Sequence, residues 1–175
     1  MTQSTFSVAY AVERLARQGV VIAAMVDGVD QTQARWKPSP DDWSILEVVN
    51  HLYDEERDDF RTRFDLTLHR PEADWPPIHP SQWVIDRRYH ERDLAQSVQA
   101  FLAEREKSLA WLRTLNDADL SVTHSHPQAG SMPAGEMLAS WVAHDCLHIR
   151  QLTELHYSYL AQSAQPYAVY YAGDW

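Results

Sequence analysis

The apolar residues of this chain recur with a spacing near 3.6, and no stretch alternates convincingly between apolar and polar positions. This pattern predicts four amphipathic helices, over residues 4–27, 44–68, 92–115 and 134–161. Most prolines fall between the predicted helices, in clusters at 38–40, 71–80 and 127–133. Four helices of about 20 to 28 residues indicate an all-α fold, an antiparallel four-helix bundle formed by one domain over 1–175.

The second predicted helix has a specific start signal. Ser44 suits the N-cap position, and Glu47 three residues later completes a capping box. Trp43, directly before the cap, is placed to pack on Val48 as a hydrophobic staple. The fourth helix is expected to begin just after Pro133, a residue suited to a first helical turn.

The connection over 69–91 is long for a helical bundle and contains Trp75 and Trp83 among several prolines. We interpret it as a packed covering loop rather than a flexible linker. The C-terminal segment 166–175 is strongly aromatic and is expected to fold back on the bundle. Trp75, Trp83 and Trp175 would then lie in the two segments best able to cover a site.

Charge and composition exclude several classes of protein. Fifteen basic and 25 acidic residues give a net charge of −10, which disfavours binding to nucleic acid or to an anionic membrane surface. The longest wholly apolar run, residues 20–26, is far shorter than a membrane span. Cys146 is the single cysteine, so an internal disulfide is excluded. We expect a soluble, cytoplasmic domain.

The sharpest chemical feature is the pair His144 and His148, four residues apart in the fourth predicted helix. This spacing lets two imidazoles reach one metal ion. At 100° per residue, both histidines and Asp145 share the apolar face that contains Trp141. Burying these groups is costly unless they are paired or bind a metal, so a metal site and an ordinary hydrogen-bonded core pair both remain open. A zincin protease is excluded, because no Glu follows the first histidine.

His51 in the second helix is the best-placed third ligand, at the edge of a broad apolar arc. The alternative is an exposed histidine on an acidic face with Asp54 and Glu55. Five further histidines lie in loops or at helix ends, where solvated imidazoles are expected: His69, His79, His90, His124 and His126. No special role is expected for His156. His124 and His126 could bind a metal ion at the surface, or they could lie in a turn; the neighbouring residues favour the turn.

Two charged residues interrupt the apolar pattern. Arg105 lies in the middle of the third-helix stripe, and Glu56 lies within the apolar arc of the second helix. An inward Arg and an inward Glu on facing helices are expected to pair with each other or with Asp145, in a structural role. Cys146 lies on the outward half of its helix and is not expected to be a ligand or a nucleophile.

Several of these segments resemble the DinB-like (DinB/YfiT-like) metalloenzyme family. The resemblance covers nearly the whole chain, and the three histidines in this order are its most specific part. It is carried by Trp43-Ser44, Glu47-Val48 and His51; by Trp141, His144, Asp145, His148 and Gln151; and by Arg88-Tyr89, Asp93-Leu94, Arg105 and the terminal 171–175.

The resemblance implies an antiparallel four-helix bundle, often a homodimer, with a divalent metal ion bound by His51, His144 and His148. The metal would be Zn or Ni, with Fe or Mn as alternatives. Some members of the family are transferases or isomerases that use the thiols bacillithiol or mycothiol, others are named metal-dependent hydrolases, and many have no known activity. DNA binding is not implied.

Three imidazoles leave coordination positions open, as in catalytic rather than structural metal sites. Such a metal could lower the pKa of a water molecule to about 7 or hold a substrate thiolate. Glu55 and Asp145 are the candidates to orient a ligand or move a proton. We therefore expect a metal-dependent enzyme acting on a small molecule by hydrolysis or thiol transfer. The alternative is a non-catalytic metal-binding stress-response protein.

Overall fold

The chain is mostly helical. The computed structural model describes residues 6–126 and 130–173, including the backbone of His126 but not its side chain. The α-helices are α1 (Val8–Val26), α2 (Gln31–Arg35), α3 (Ile45–Asp54), α4 (Arg61–His69), α5 (Pro80–Asp86), α6 (Leu94–Leu112) and α7 (Ala134–Ser163). Short 3₁₀ segments occur at Tyr89–Glu91, Arg113–Leu115 and Tyr170–Ala172. Two strands, β1 (Thr123–His126) and β2 (Gly130–Pro133), form an antiparallel pair.

The second long helix is continuous over residues 45–69, close to the predicted bounds. It consists of α3, a π-helical segment at Glu55–Phe60, and α4. The capping box is present: the Glu47 amide donates to Ser44 Oγ at 3.3 Å, and the Ser44 amide donates to Glu47 Oε2 at 2.8 Å. Trp43 packs against the apolar cluster that contains Val48. The π-helical segment was not predicted, because the spacing of apolar residues does not reveal an added residue in a turn.

The β-hairpin is a correction to the all-helical prediction. Its register pairs Thr123 with Pro133 and His126 with Gly130. Each strand has only four residues, which is too short for an alternating pattern to stand out from chance. The short helices α2 and α5 also lie in segments that had been interpreted as connections.

The apolar core is divided into two clusters that are stacked along the long helices. The first cluster contains Ile22, Val26, Ala34, Ile45, Leu46, Val48, Val49, Leu52, Leu94, Phe101, Leu152 and Leu155. The second contains Val8, Ala11, Leu15, Phe60, Phe64, Leu109, Leu112, Ala134, Met137, Leu138 and Trp141. In the second long helix and in α6, the polar segments 54–59 and 104–108 separate the residues of one cluster from those of the other.

The order in which each helix crosses the clusters gives its direction. Helices α1 and α7 pass from the second cluster to the first, whereas helix 45–69 and α6 pass from the first to the second. Helix 45–69 and α6 therefore run in the same direction although they are consecutive long helices. Their connection has to return along the length of the helices, which explains why it is long. The predicted antiparallel bundle did not include this parallel pair.

A buried ionic group lies between the two clusters and joins the long helices. Arg105 donates to Asp145 Oδ2 and Oδ1 at 2.6 and 3.0 Å and to Glu56 Oε1 at 2.9 Å. It also donates to the Leu15 carbonyl of α1 at 2.8 Å. Trp141 Nε1 donates to Glu56 Oε2 at 2.9 Å. The three charged side chains are at most 2% exposed. The predicted pairing of Arg105 with Glu56 and Asp145 is thus confirmed.

The C-terminal segment differs from its prediction. Tyr167, Tyr170 and Tyr171 are 79%, 80% and 96% exposed, so these rings do not fold back on the helices. Trp175 lies outside the described residues. Within residues 6–126 and 130–173, none of the helices has the length and apolar character needed to cross a membrane.

Substitution of Arg105 tests the role of the ionic group. Arg105→Met leaves Glu56 and Asp145 buried without their cation, which should lower the free energy of unfolding by about 3–5 kcal/mol. The matched control is Arg17→Met, whose partner Glu13 lies on the same exposed surface of α1. That change should cost at most about 1 kcal/mol.

Urea unfolding of metal-free protein measures both effects. An Arg105→Met protein that unfolds at the wild-type urea concentration would contradict the structural role of Arg105.

Candidate metal centre

Three imidazoles from two helices converge at one point. His51 projects from α3, and His144 and His148 project from successive turns of α7. Their ligand atoms all lie within 4.8 Å of one another. Burial excludes the alternative of a solvated His51, since that residue is only 5% exposed. His144 and His148 are half-buried, so the cluster lies at the edge of the core.

The nitrogen separations suit a single metal ion. His144 Nε2 lies 3.2 Å from His51 Nε2 and 3.1 Å from His148 Nε2. For metal–nitrogen distances of about 2.0–2.1 Å, tetrahedral ligands lie about 3.3–3.4 Å apart and ligands at right angles about 2.8–3.0 Å apart. The observed separations fall between these values. Three imidazole nitrogens aimed at one point are therefore a donor set that fits a divalent ion.

A hydrogen bond sets the tautomer of His148. Gln151 Oε1 lies 2.8 Å from His148 Nδ1 and can only accept, so Nδ1 carries the hydrogen and donates it. The lone pair of the neutral ring is then on Nε2, the atom that points to the other two histidines. Gln151 belongs to the motif of the fourth helix, but the sequence did not reveal this contact.

The surroundings keep the three rings neutral. Burial, and then the proximity of His148 and His144, lowers the pKa of His51 to about 2. Burial and the proximity of His148 and Arg105 lower the pKa of His144 to about 3. Burial also lowers the pKa of His148, although Gln151 and Asp145 act in the opposite direction. Neutral imidazole is the form that binds metal ions.

Two aromatic side chains flank the imidazoles. The Trp43 ring lies edge-on to His51 at 4.7 Å and parallel to His148 at 6.4 Å. Phe60 lies 5.0 Å from His144 and stacks on Trp141 at 5.8 Å. Trp43 thus does more than staple the start of α3, since it also forms an apolar wall of the histidine cluster.

The two carboxylates proposed as catalytic candidates have different positions. Asp145 is turned away from the histidine cluster and is held by two hydrogen bonds from Arg105. Glu55 lies beside the cluster, with Oε1 at 3.9 Å from His51 Nδ1. Burial and the adjacent Asp59 raise the pKa of Glu55 to about 9. Asp145 is therefore placed to support the fold, and Glu55 to contact His51.

The remaining histidines lie apart from this cluster. His69, His79 and His90 are exposed, as predicted. His124 is a correction: it is 3% exposed, stacks on Trp75 at 4.2 Å, and its Nδ1 lies 2.8 Å from the Pro71 carbonyl. The hairpin, which the sequence did not predict, brings it into this position. The His126 side chain lies outside the described part.

Two further predictions concern His156 and Cys146. His156 Nδ1 lies 3.0 Å from Gln33 Nε2, although no particular role was predicted for this histidine. Cys146 is exposed, as expected for a residue on the outward half of α7.

The two tryptophans of the long connection have structural neighbours of their own. Trp75 packs against the second apolar cluster, and the Arg63 guanidinium lies 5.1 Å above its ring. The Arg87 guanidinium lies 4.1 Å from the Trp83 ring. Among the ring contacts of the described residues, Trp43 is the tryptophan that contacts the histidine cluster, and a covering role of Trp75 and Trp83 stays a prediction.

Comparison with known proteins agrees with this arrangement. The family model of the DinB superfamily matches residues 14–152. A protein of Oceanobacillus iheyensis named "putative metal-dependent hydrolase" is 26% identical over 115 residues, or 65% of this chain and 64% of that protein. The match thus spans less than two thirds of the relative's length.

A solved structure has the same fold. YfiT from Bacillus subtilis is described as a probable metal-dependent hydrolase with an unusual four-helix bundle topology. It matches with a TM-score of 0.76 and 21% identity, covering 90% of this chain and 91% of that chain. The parallel pair formed by helix 45–69 and α6 is a departure from a simple antiparallel bundle.

The lowered pKa of His51 predicts a pH-dependent stability of the metal-free protein. The unfolded chain takes up a proton at His51 near pH 6.5, whereas the folded chain does not. The stability that neutral His51 provides is therefore present above that pH and is lost as the pH falls. Between pH 6.5 and 5 the loss from this residue should be about 2 kcal/mol.

Urea unfolding with a metal chelator, compared between pH 7 and pH 5, measures this loss. His51→Gln should show a smaller decrease than wild type, and His69→Gln, which changes an exposed imidazole, should match wild type. Equal decreases in wild type and His51→Gln would show that His51 takes up a proton as readily in the folded chain.

Proposed function

The chain belongs to the DinB superfamily, and we propose that it is an enzyme that uses a divalent metal ion to act on a small molecule. In this proposal the metal ligands are His51, His144 and His148. The observation that carries it is the convergence of three neutral Nε2 atoms at separations of 3.1 and 3.2 Å. The ion would be Zn or Ni, which imidazole suits, with Fe or Mn as alternatives.

The protein residues have separable tasks in this proposal. A divalent ion on three imidazoles supplies Lewis acidity and leaves coordination positions to a substrate. Gln151 holds His148 in the tautomer that can bind the ion. Trp43 and Phe60 form apolar walls on either side, which exclude water and favour an apolar substrate group near the site. Arg105 and Asp145 hold α7 in place without contacting the substrate.

Hydrolysis and thiol transfer are the two reactions in question. The names of the relatives from Oceanobacillus iheyensis and Bacillus subtilis favour hydrolysis. Transfer to a low-molecular-weight thiol is the second reaction, because the same ion could hold a thiolate. The non-catalytic alternative is a metal-binding stress-response protein. A cytoplasmic location and a homodimer, with antiparallel packing of α1 against α6 and of helix 45–69 against α7, complete the proposal.

Metal content tests the proposed ligands. Protein purified without a histidine tag should contain about one divalent ion per chain, measured by elemental analysis. His148→Ala should lose most of this metal, because two imidazoles bind an ion far more weakly than three. His69→Ala removes an exposed histidine outside the cluster and should keep the wild-type content.

Equal metal content in wild type and His148→Ala would disprove the ligand assignment. A wild-type protein that holds no metal after purification and binds none when Zn²⁺, Ni²⁺, Fe²⁺ or Mn²⁺ is added would disprove the metal-dependent function.

An activity screen separates the reactions. Metal-loaded protein is incubated with a panel of small esters, amides and alkyl electrophiles, with and without added bacillithiol or mycothiol. A hydrolase should release product without thiol, whereas a transferase should form a thiol adduct only when thiol is present. His148→Ala should lose either activity. Full metal content without turnover in both conditions would favour the non-catalytic alternative.

A further inference from the structure

A column of polar side chains leads away from the histidine cluster along the second long helix. His51, Glu55, Asp59 and Arg63 follow one another at intervals of four residues. The first three are 5%, 4% and 6% exposed, and the Arg63 side chain is 16% exposed. Since water has little access to this column, its polar atoms have to find partners within it.

The far end of the column is held by a charged pair. Arg63 Nε lies 2.8 Å from Asp59 Oδ1, and Arg63 Nη2 donates to the Pro76 carbonyl at 3.1 Å. Asp59 in turn is hydrogen-bonded to Glu55. Two carboxyl groups can form a hydrogen bond only if one of them carries a proton. The two carboxyl groups therefore share a proton, and Arg63 lies on the Asp59 side of the pair.

The near end of the column contains two unsatisfied atoms that complement each other. Glu55 Oε1 and His51 Nδ1 are both buried without a hydrogen-bond partner, and they lie 3.9 Å apart. The oxygen is an acceptor, and Nδ1 carries a hydrogen whenever Nε2 offers its lone pair to a metal. The separation exceeds the upper end of N–H···O distances by about 0.7 Å, which a small side-chain adjustment covers.

We propose that Glu55 is the positioning residue of His51: its Oε1 accepts the Nδ1 hydrogen and so aims the Nε2 lone pair at the metal centre. Asp59 and Arg63 hold the Glu55 carboxyl group in the orientation that this requires. The inference deepens the proposed function and rests on it. Glu55 acts through His51 and not on a substrate.

The π-helical segment brings the members of the column into contact. At about 100° per residue, three steps of four residues in an α-helix would place Arg63 about 120° around the helix from His51. The segment Glu55–Phe60 widens the turn and reduces this displacement. The Arg61 amide donates to the Glu56 carbonyl five residues earlier, and Thr62 Oγ1 donates to the Arg57 carbonyl at 2.9 Å.

His148, another proposed ligand, also has a side-chain oxygen next to its Nδ1. His148 donates Nδ1–H to Gln151, three residues further along its own helix. His51 has Glu55, four residues further along its helix, in the equivalent place. Each of these two imidazoles thus has a side-chain oxygen from its own helix next to Nδ1. Acceptors in this position fix the tautomer and orientation of metal-binding histidines.

Three variants test the role of Glu55, with Zn²⁺ as the probe and its affinity measured by chelator competition. Glu55→Met removes the acceptor at similar length and should weaken Zn²⁺ binding about 10–100-fold. Glu55→Gln should keep the wild-type affinity, because its amide oxygen accepts from His51 and its NH₂ group donates to Asp59. Asp58→Asn is the control within the π-helical segment, since Asp58 pairs with Arg57 and Arg87 and should not affect binding.

A second measurement does not depend on the metal. In ¹⁵N-histidine-labelled, metal-free protein, ring nitrogen shifts report which nitrogen of His51 carries the hydrogen, and His51→Gln identifies the signal. Wild type and Glu55→Gln should have the hydrogen on Nδ1, and Glu55→Met should show a mixture of tautomers. Circular dichroism confirms that each variant is folded.

The outcomes separate this inference from the proposed function. A wild-type protein that binds none of Zn²⁺, Ni²⁺, Fe²⁺ and Mn²⁺ would overturn the metal function, while the tautomer of His51 would still decide the contact with Glu55. Wild-type Zn²⁺ affinity in folded Glu55→Met, or a hydrogen on Nε2 of His51 in the metal-free wild type, would overturn the role of Glu55 alone.

Discussion

The buried contact of Arg105 with Glu56 and Asp145 is the interaction on which the rest of the structure depends. It lies between two apolar clusters and connects α6, the π-helical segment and α7, with a further hydrogen bond to the α1 backbone. Buried charged side chains can move little relative to their partners, because separation leaves an unpaired buried charge and raises the free energy of the folded state. The contact therefore restricts how the helices slide past one another. Since Asp145 follows His144 directly, it also restricts where α7 presents its histidines.

The histidine cluster has to satisfy two opposing requirements. Its imidazoles have to be buried enough to stay neutral, and burial lowers the pKa of both His51 and His144 far below the ordinary value. Burial also removes water that would otherwise satisfy the ring nitrogens. For His148 an acceptor on the same helix, Gln151, takes the place of that water, and for His51 the Glu55 Oε1 atom lies 3.9 Å from Nδ1. The π-helical segment links the two regions, because it contains Glu55, which faces the cluster, and Glu56, which faces Arg105.

Much of the architecture could be predicted from the sequence. Helix periodicity placed the four long helices within a few residues of their ends, and the capping box at Ser44 was correct. The inward direction of Asp145 and of the ionic partners followed from positions on a helical wheel. The hairpin could not be predicted, because its strands are too short to show a period. The exposed tyrosines at 167, 170 and 171 show that aromatic composition alone does not determine packing.

The sequence by itself determined which residues offer metal-binding chemistry, since the spacing of His144 and His148 places both on one helical face. It left His51 between two interpretations, because a residue at the edge of an apolar arc can face either core or water. Only the tertiary structure decided this, by packing α3 against α7 so that three Nε2 atoms meet. It also distinguished the two candidate carboxylates. Asp145 and Glu55 have similar intrinsic chemistry, but contact with Arg105 makes one structural, and the spacing of one α-helical turn places the other 3.9 Å from His51.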